Sequence, residues 1–341
     1  MEIIQIKNNT LEEIAAALSA AESILFFPHH SMDGDTLGSS VALCRALRTK
    51  GKLSFVIIED EIPDMISFLD CDCCTDSLKI VDKPDLCVCV DCGELSRLNR
   101  RRELFESGRT KMCIDHHIST TPFLEWNYID PAAAATAEIA YEIITILGLE
   151  IDKDISEAIY TGIVTDTGLF QYSNTTKKTH LITAGLYDCG LNSSETAIKI
   201  YQSVSREKMI LEANIISTIE LFAEGKVAIA YMTQEMLNNS GAKPDDTDGV
   251  VERLRGIKGV EIAALVRERR DGRIKVSLRS KQYANVAAFS EPRGGGGHIR
   301  AAGYTADSTV DEVKTSLAVE LEGLLKRSSV SDAGYKAADE C

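Results

Sequence analysis

The sequence predicts an α/β fold, a doubly wound and mostly parallel sheet joined by a helical connector to a smaller α+β domain. Three observations lead there. In the first half, short unbroken apolar runs alternate with helical patterns, the βαβ rhythm of strands buried on both faces. Residues 193–222 keep a helical pattern without a proline or glycine. Beyond them, strand-like runs are punctuated by turn signals at Gly225 and at Asp271-Gly272. At 341 residues the chain has room for about two domains.

Taken in order, Thr10 and Glu13 have capping-box spacing and open a helix at Leu11. A strand over Ile24 to Phe27 leads through a polar loop into a helix from Thr36 to Lys50. The runs LSFVIIE, LCVCVD and KMCID read as further buried strands, with helical patterns near Pro63 to Leu69 and Ser96 to Ser107. Helices around Ala135 to Leu147 and Ile155 to Val164 complete a first domain that ends near residue 190. Residues 191–222 read as one helical connector. The strands VAIAYMT, VEIAALVRE and RIKVSLRS then build a second domain over 223–327, and the small, polar tail over 328–341 is expected to fray.

Composition narrows the function. Hydrophobic residues make up 44% and charged residues 26%, enough for a full core. Acidic residues number 52 against 37 basic, and a net charge of -15 argues against a protein that coats long nucleic acid. The sequence lacks the apolar run of about 18 to 20 residues that a membrane span needs, and its start lacks a secretory pattern. A cytoplasmic protein is the expectation. Among ten cysteines, Cys44, Cys87, Cys89, Cys113 and Cys189 lie in apolar runs. Cys71-Asp72-Cys73-Cys74 lacks a second ligand pair at zinc spacing and reads as reduced thiols.

The histidines locate the chemistry. His29, His30, His116, His117 and His298 fall in three polar clusters, and only His180 stands alone. Asp33 and Asp35 follow His29, Asp91 ends one apolar run, Asp115-His116-His117 ends another, and Asp166 ends a fourth. One such cluster reads as a helix cap, but four strand-end clusters in one domain point to a shared metal centre. Carboxylate with imidazole and without thiolate suits manganese, iron or magnesium. Asp33, Asp35, Asp91 and Asp166 sum to -4, which two divalent ions neutralise. By strand alternation Cys92 and Cys113 face away from the ligands. In the second domain, Gly294 to Gly297 precede His298 and Arg300, and side-chain-free residues let backbone N–H groups approach a phosphate. Residues 253–281 hold ten basic and three acidic residues, a local +7.

These motifs resemble the DHH phosphoesterases, the family named for the triplet that stands here as Asp115-His116-His117. Lys275 to Ser280 and Gly294 to Gly303 are similar to the signatures of the DHH-associated substrate domain. The resemblance implies two Mn2+ ions, one held by His29, Asp33 and Asp91 and the other by Asp35, Asp91, His116 and Asp166, with Asp91 bridging. It implies that His117 and Asp91 are catalytic, that Asp115 orients its neighbours, and that Arg279, Ser280, Gly295, Gly296, Gly297 and His298 contact substrate. Met32 stands where many relatives have proline, and His30 is outside the usual ligand set. The architecture is most similar to the nano-RNase group. That implies hydrolysis of oligonucleotides of about two to five units to mononucleotides and dephosphorylation of 3′-phosphoadenosine 5′-phosphate (pAp). Short RNA, DNA or nucleotides are the expected partners, without long nucleic acid or membrane and with a homodimer left open. A phosphodiesterase for cyclic di-AMP or linear pApA is the alternative enzyme, and a nucleotide-binding regulator with an inactive centre is the alternative outside catalysis.

Overall fold

The structure is a computed structural model that describes residues 6–336; the side chains of Asp245, His298 and residues 328–336 are not described. It divides into two units after Ser203. Thr10 accepts the Glu13 N–H at 3.2 Å and Glu13 accepts the Thr10 N–H at 2.9 Å, so the capping box opens α1 (Leu11–Ala20). The four expected apolar runs become β1 (Ser23–Pro28), β2 (Leu53–Ile57), β4 (Leu86–Val90) and β5 (Thr110–Asp115), and two strands that the apolar pattern did not show, β3 (Cys74–Thr75) and β6 (Trp126–Ile129), form the edges. All five pairings are parallel, in the order β3-β2-β1-β4-β5-β6.

Alternation along the strands builds two cores. Ile24, Phe26, Val88, Val90 and Ile114 face α2 (Gly34–Arg48) and its neighbours. Leu25, Phe27, Cys87, Cys89, Cys92 and Cys113 pack with Phe105 of α3 (Arg102–Ser107) on the opposite face. Burial on both faces is why the strands read as continuous apolar runs. The patterns near 63–69 and 96–107 are largely 3-10 turns, Asp64–Leu69 and Leu95–Arg101. Asn99 has φ +46, which an α-helix does not accommodate. Helices α4 (Thr136–Ile146), α5 (Lys153–Asp166) and α6 (Lys177–Asp188) complete the layer.

The connector is not one helix. It is α7 (Ser193–Tyr201), α8 (Arg206–Ile216) and the short β7 (Glu220–Phe222). Ser205 accepts the Lys208 N–H at 3.1 Å and so starts a new helix, and the division between units falls in the gap before it. The second unit holds β8 (Val227–Met232), β9 (Ile262–Glu268), β10 (Ile274–Ser280), β11 (Gly296–His298) and β12 (Ala301–Ala306). With β7 they form a mixed sheet in the order β11-β12-β10-β9-β8-β7, in which only β8 and β9 pair parallel. Its helices are α9 (Gln234–Ser240), α10 (Val250–Gly256), α11 (Val286–Ser290) and α12 (Val310–Lys336). Leu211, Ile215 and Leu254 cover one face, and Val286, Phe289, Leu317 and Leu321 the other. Contrary to the expected fraying from Ser328, α12 continues to Lys336, and its sequence has no proline to stop it. Residues 337–341 of that expected tail lie outside the described residues. Among those described, no helix is long and apolar enough to cross a membrane.

Close contact between α2 and α5 positions the residues discussed next. A Cβ on Gly38 would lie 2.4 Å from the Ala158 carbonyl oxygen, and one on Gly162 would lie 2.7 Å from Asp35 Oδ1. Gly38→Ala therefore forces the two backbones apart and is expected to destabilise the chain by about 2 kcal/mol. Urea denaturation measures this, and an unchanged midpoint would contradict the packing.

Candidate metal centre

Three adjacent parallel strands end in the residues that carry charge. β1 runs into His29 and Asp33, β4 into Asp91, and β5 into Asp115, His116 and His117. The strand order departs from β1 in both directions, so these loops part at the switch point where open α/β sheets build their sites. The fourth contributor corrects the expectation of four strand ends. Asp166 is the last residue of helix α5, whose start Asp152 caps by accepting the Ile155 N–H at 2.8 Å.

Each carboxylate is held before it meets a ligand. Asp33 Oδ1 accepts the N–H groups of Asp35 and Thr36, both at 3.1 Å, and so caps α2, while Oδ2 lies 3.5 Å from His29 Nε2. Cap and candidate ligand are the same residue. Asp35 is fully buried and accepts the Thr136 N–H at 2.7 Å, the Ala137 N–H at 2.9 Å and the Ser39 hydroxyl at 3.1 Å. The N-terminus of α4 thus steadies a negative charge. Asp91 has φ +54, a region that non-glycine residues seldom occupy. Its Oδ2 lies 3.7 Å from His29 Nε2 and its Oδ1 3.6 Å from His116 Nε2. His116 Nε2 is also 3.1 Å from Asp166 Oδ2 and 3.8 Å from Asp35 Oδ2.

Backbone carbonyls clamp the imidazoles from behind. His29 Nδ1 donates to the His30 carbonyl at 2.8 Å and His116 Nδ1 to the Ala133 carbonyl at 3.1 Å. That fixes the tautomer and turns a lone pair on each Nε2 toward the carboxylates. Lone pair facing carboxylate is repulsive unless a proton or a cation lies between. The electrostatics agree. Burial, with the charge of Asp166, raises the Asp35 carboxyl to about 7. Burial, with the charges of Asp35 and Asp33, raises Asp91 well above the carboxylate range. Burial opposes charge on His116, yet the Asp166 hydrogen bond and the charges of Asp35 and Asp91 push it up to about 11. Three overlapping donor sets result, His29–Asp33–Asp91, Asp91–His116–His117 and Asp35–His116–Asp166, the ligand atoms of each within 4.8 Å of one another. Carboxylate and imidazole together fit divalent cations, and Asp91 belongs to two of the sets.

A model of the DHH family's N-terminal domain matches residues 23–163, and a DHHA1 domain model matches residues 224–326. The bifunctional oligoribonuclease and PAP phosphatase NrnA of Thermus thermophilus is 30% identical over 86% of this chain and 87% of its own. The chain belongs to the DHH family. The Bacillus subtilis protein of the same name is 27% identical over 92% of this chain and 98% of its own. A crystal structure of an exopolyphosphatase-related protein from Bacteroides fragilis superposes with a TM-score of 0.86 at 26% identity, covering 93% of this chain and 97% of that one.

In this DHH triplet the first aspartate has no oxygen to spare. Asp115 Oδ1 accepts the N–H groups of His116 at 2.8 Å and His117 at 3.2 Å and lies 2.7 Å from His117 Nδ1; Oδ2 accepts the Thr120 hydroxyl at 2.5 Å. With Nδ1 engaged by Asp115, Nε2 is the His117 atom that can address a substrate. Sequence reasoning missed Thr136, whose hydroxyl donates to Asp91 Oδ1 at 2.9 Å while its N–H serves Asp35. A threonine after an alanine run at a helix start reads as an ordinary N-terminal residue, so no local signal marks it.

The second unit modifies the expected substrate contacts. Ser280 is 1% exposed and donates to the Ala284 carbonyl at 2.6 Å, so burial removes it from a ligand's reach. Arg279 Nε is 2.7 Å from Glu252 Oε1. Arg253, Arg269 and Arg273 also stand in ion pairs, which offset part of the local +7. The glycines are less a loop than a strand: after a turn at Gly294 with φ +73, β11 pairs antiparallel with β12. A Cβ on Gly295 would lie 2.1 Å from the Gly303 carbonyl oxygen and one on Gly297 2.4 Å from that of Ala301, so strand contact demands these two glycines. Gly296 has open space. The side chain of His298 falls outside the described residues.

Two outcomes check the centre. Thr136→Val removes the group that steers Asp91 and is expected to weaken manganese binding about 10-fold, read by calorimetry. Asp91→Asn relieves like-charge crowding, so the metal-free protein should keep or raise its thermal midpoint while manganese affinity collapses. A lowered midpoint would make Asp91 a structural residue instead.

Proposed function

We propose that the chain hydrolyses oligonucleotides of about two to five units to mononucleotides and removes a phosphate from pAp. The observation that carries this reading is Asp91, buried between two imidazoles and shared by two carboxylate–imidazole sets at a strand switch point. The names of the Thermus and Bacillus relatives support the substrate class. His29, Asp33 and Asp91 would hold one manganese ion and Asp35, Asp91, His116 and Asp166 the other. When bound, the pair supplies charge neutralisation and Lewis acidity at the phosphoryl group.

The chain's own residues do the rest. Thr136 and the start of α4 fix Asp91 and Asp35, so that the donors need no rearrangement. The Asp115 hydrogen bond raises the basicity of His117 and favours the ring protonated on both nitrogens. Its Nε2–H can then donate to a phosphoryl oxygen and stabilise the charge that develops there. Gly296, His298 and Arg279 are proposed to bind the substrate's remaining anionic groups. The cytoplasm is the proposed compartment, which the free thiols of the described cysteines support.

The test compares kcat/KM, with manganese, for a labelled dinucleotide, a pentamer, a long oligomer, pAp and cyclic di-AMP. Efficiency is expected to fall steeply with length and to respond weakly to salt, because few phosphates are contacted. Equal efficiency on the long oligomer with a steep salt slope would overturn the short-substrate reading, and preference for cyclic di-AMP would replace it. His298→Ala is expected to raise KM for the dinucleotide more than it lowers kcat, with manganese content unchanged. Loss of manganese from that variant would assign His298 to the metal centre instead.

A further inference from the structure

A second group of metal-binding side chains lies at the edge of the first sheet. Cys71, Cys73 and Cys74 place their sulfurs within 4.8 Å of one another, with Cys71 Sγ and Cys73 Sγ 3.0 Å apart. That exceeds the roughly 2.05 Å of a disulfide bond, and all three are free thiols. The sequence shows no second ligand pair near them. Cys44, on α2, is buried in the same core as Cys73 but stands outside this group.

The backbone under these sulfurs is pinned. The Cys74 N–H donates to the Cys71 carbonyl at 2.9 Å, closing a tight turn, and the Val56 N–H donates to the Cys73 carbonyl at 2.8 Å, tying the turn to β2. A single ion with metal–sulfur bonds of about 2.3 Å separates tetrahedral sulfurs by about 3.8 Å, between the 3.0 Å of the Cys71–Cys73 pair and the 4.8 Å that bounds all three. Charge is provided for. Arg45 lies beside Cys71 while pairing with Asp154, and Arg48 Nη1 is 2.9 Å from Asp72 Oδ2, so one guanidinium is next to the thiols.

We propose that Cys71, Cys73 and Cys74 bind one zinc-class divalent ion, with water completing its coordination. Thiolate donors select such an ion over manganese, which prefers the oxygen-rich centre. The ion displaces the thiol protons to solvent and makes three metal–sulfur bonds. It pins the turn that leads into the two-residue edge strand β3. In the sheet β2 stands between β3 and β1, and none of the three cysteines belongs to the carboxylate–imidazole sets, so the two centres are separate. The site stands whether or not the proposed activity does.

The test uses the full chain, reduced, stripped of metal and reloaded anaerobically with cobalt(II) or zinc. Wild-type protein is expected to show a sulfur-to-cobalt charge-transfer band, which oxygen and nitrogen ligands do not give. X-ray absorption at the zinc edge is expected to show a sulfur shell at about 2.3 Å. Asp91→Asn should retain the band. Cys71→Ser and Cys74→Ser, at half-buried positions that keep the core intact, should each lose it. A zinc shell of oxygen and nitrogen alone in the wild type, or a band that survives both serine variants, would overturn the proposal.

Discussion

Four aspartates converge on two imidazoles, with Asp35 and Asp91 buried and Asp33 and Asp166 open to solvent, and the supports of the first unit serve that arrangement. Charged groups this close and this buried do not coexist unaided. Burial and mutual repulsion raise the carboxyls of Asp35 and Asp91, while, against burial, the Asp166 hydrogen bond and attraction to Asp35 and Asp91 raise the His116 imidazole between them. Protons relieve the repulsion in the bare chain, and divalent cations relieve it better because each satisfies several donors at once. The centre thus has the donors and the charge of a candidate divalent-metal site.

Holding such a cluster requires rigid supports, and the fold has them. The all-parallel sheet fixes the ends of β1, β4 and β5 side by side, because parallel register leaves no freedom to slide without turning core residues outward. The close approach of α2 and α5 at Gly38 and Gly162 brings Asp35 and Asp166 to the same spot from opposite directions. Carbonyls of His30 and Ala133 fix the imidazole tautomers, and Asp115 fixes His117. The proposed sulfur site would pin the turn that leads into β3, at the edge of the same sheet.

In the second unit, residue type and residue use part company. Glycines that read as a phosphate loop are required chiefly by the contact of β11 with β12, which leaves Gly296 as the open position. Ser280 holds a turn, and Arg279 has an internal partner in Glu252. A carboxylate that shares an arginine with a ligand keeps it oriented while the ligand is away.

The sequence by itself determined four of the six strands of the parallel sheet, because burial on both faces demands unbroken apolar runs, while the edge strands β3 and β6 carry no such run. It also pointed to a shared centre from the clusters of aspartate and histidine that end apolar runs, and the family resemblance then implied which six would be ligands. Local signals also placed the first capping box and the fold class. They did not reveal that the connector breaks at Ser205, since one hydroxyl reaching the Lys208 N–H changes a helix's start without changing its hydrophobic pattern. Nor did they place Asp166 on a helix end, Thr136 behind Asp91, Ser280 inside a core, or Cys44 in the same core as Cys73. Those facts belong to the tertiary structure for a single physical reason. Each depends on which distant residue fills the space next to a side chain, and periodicity along a chain carries no record of what packs across it.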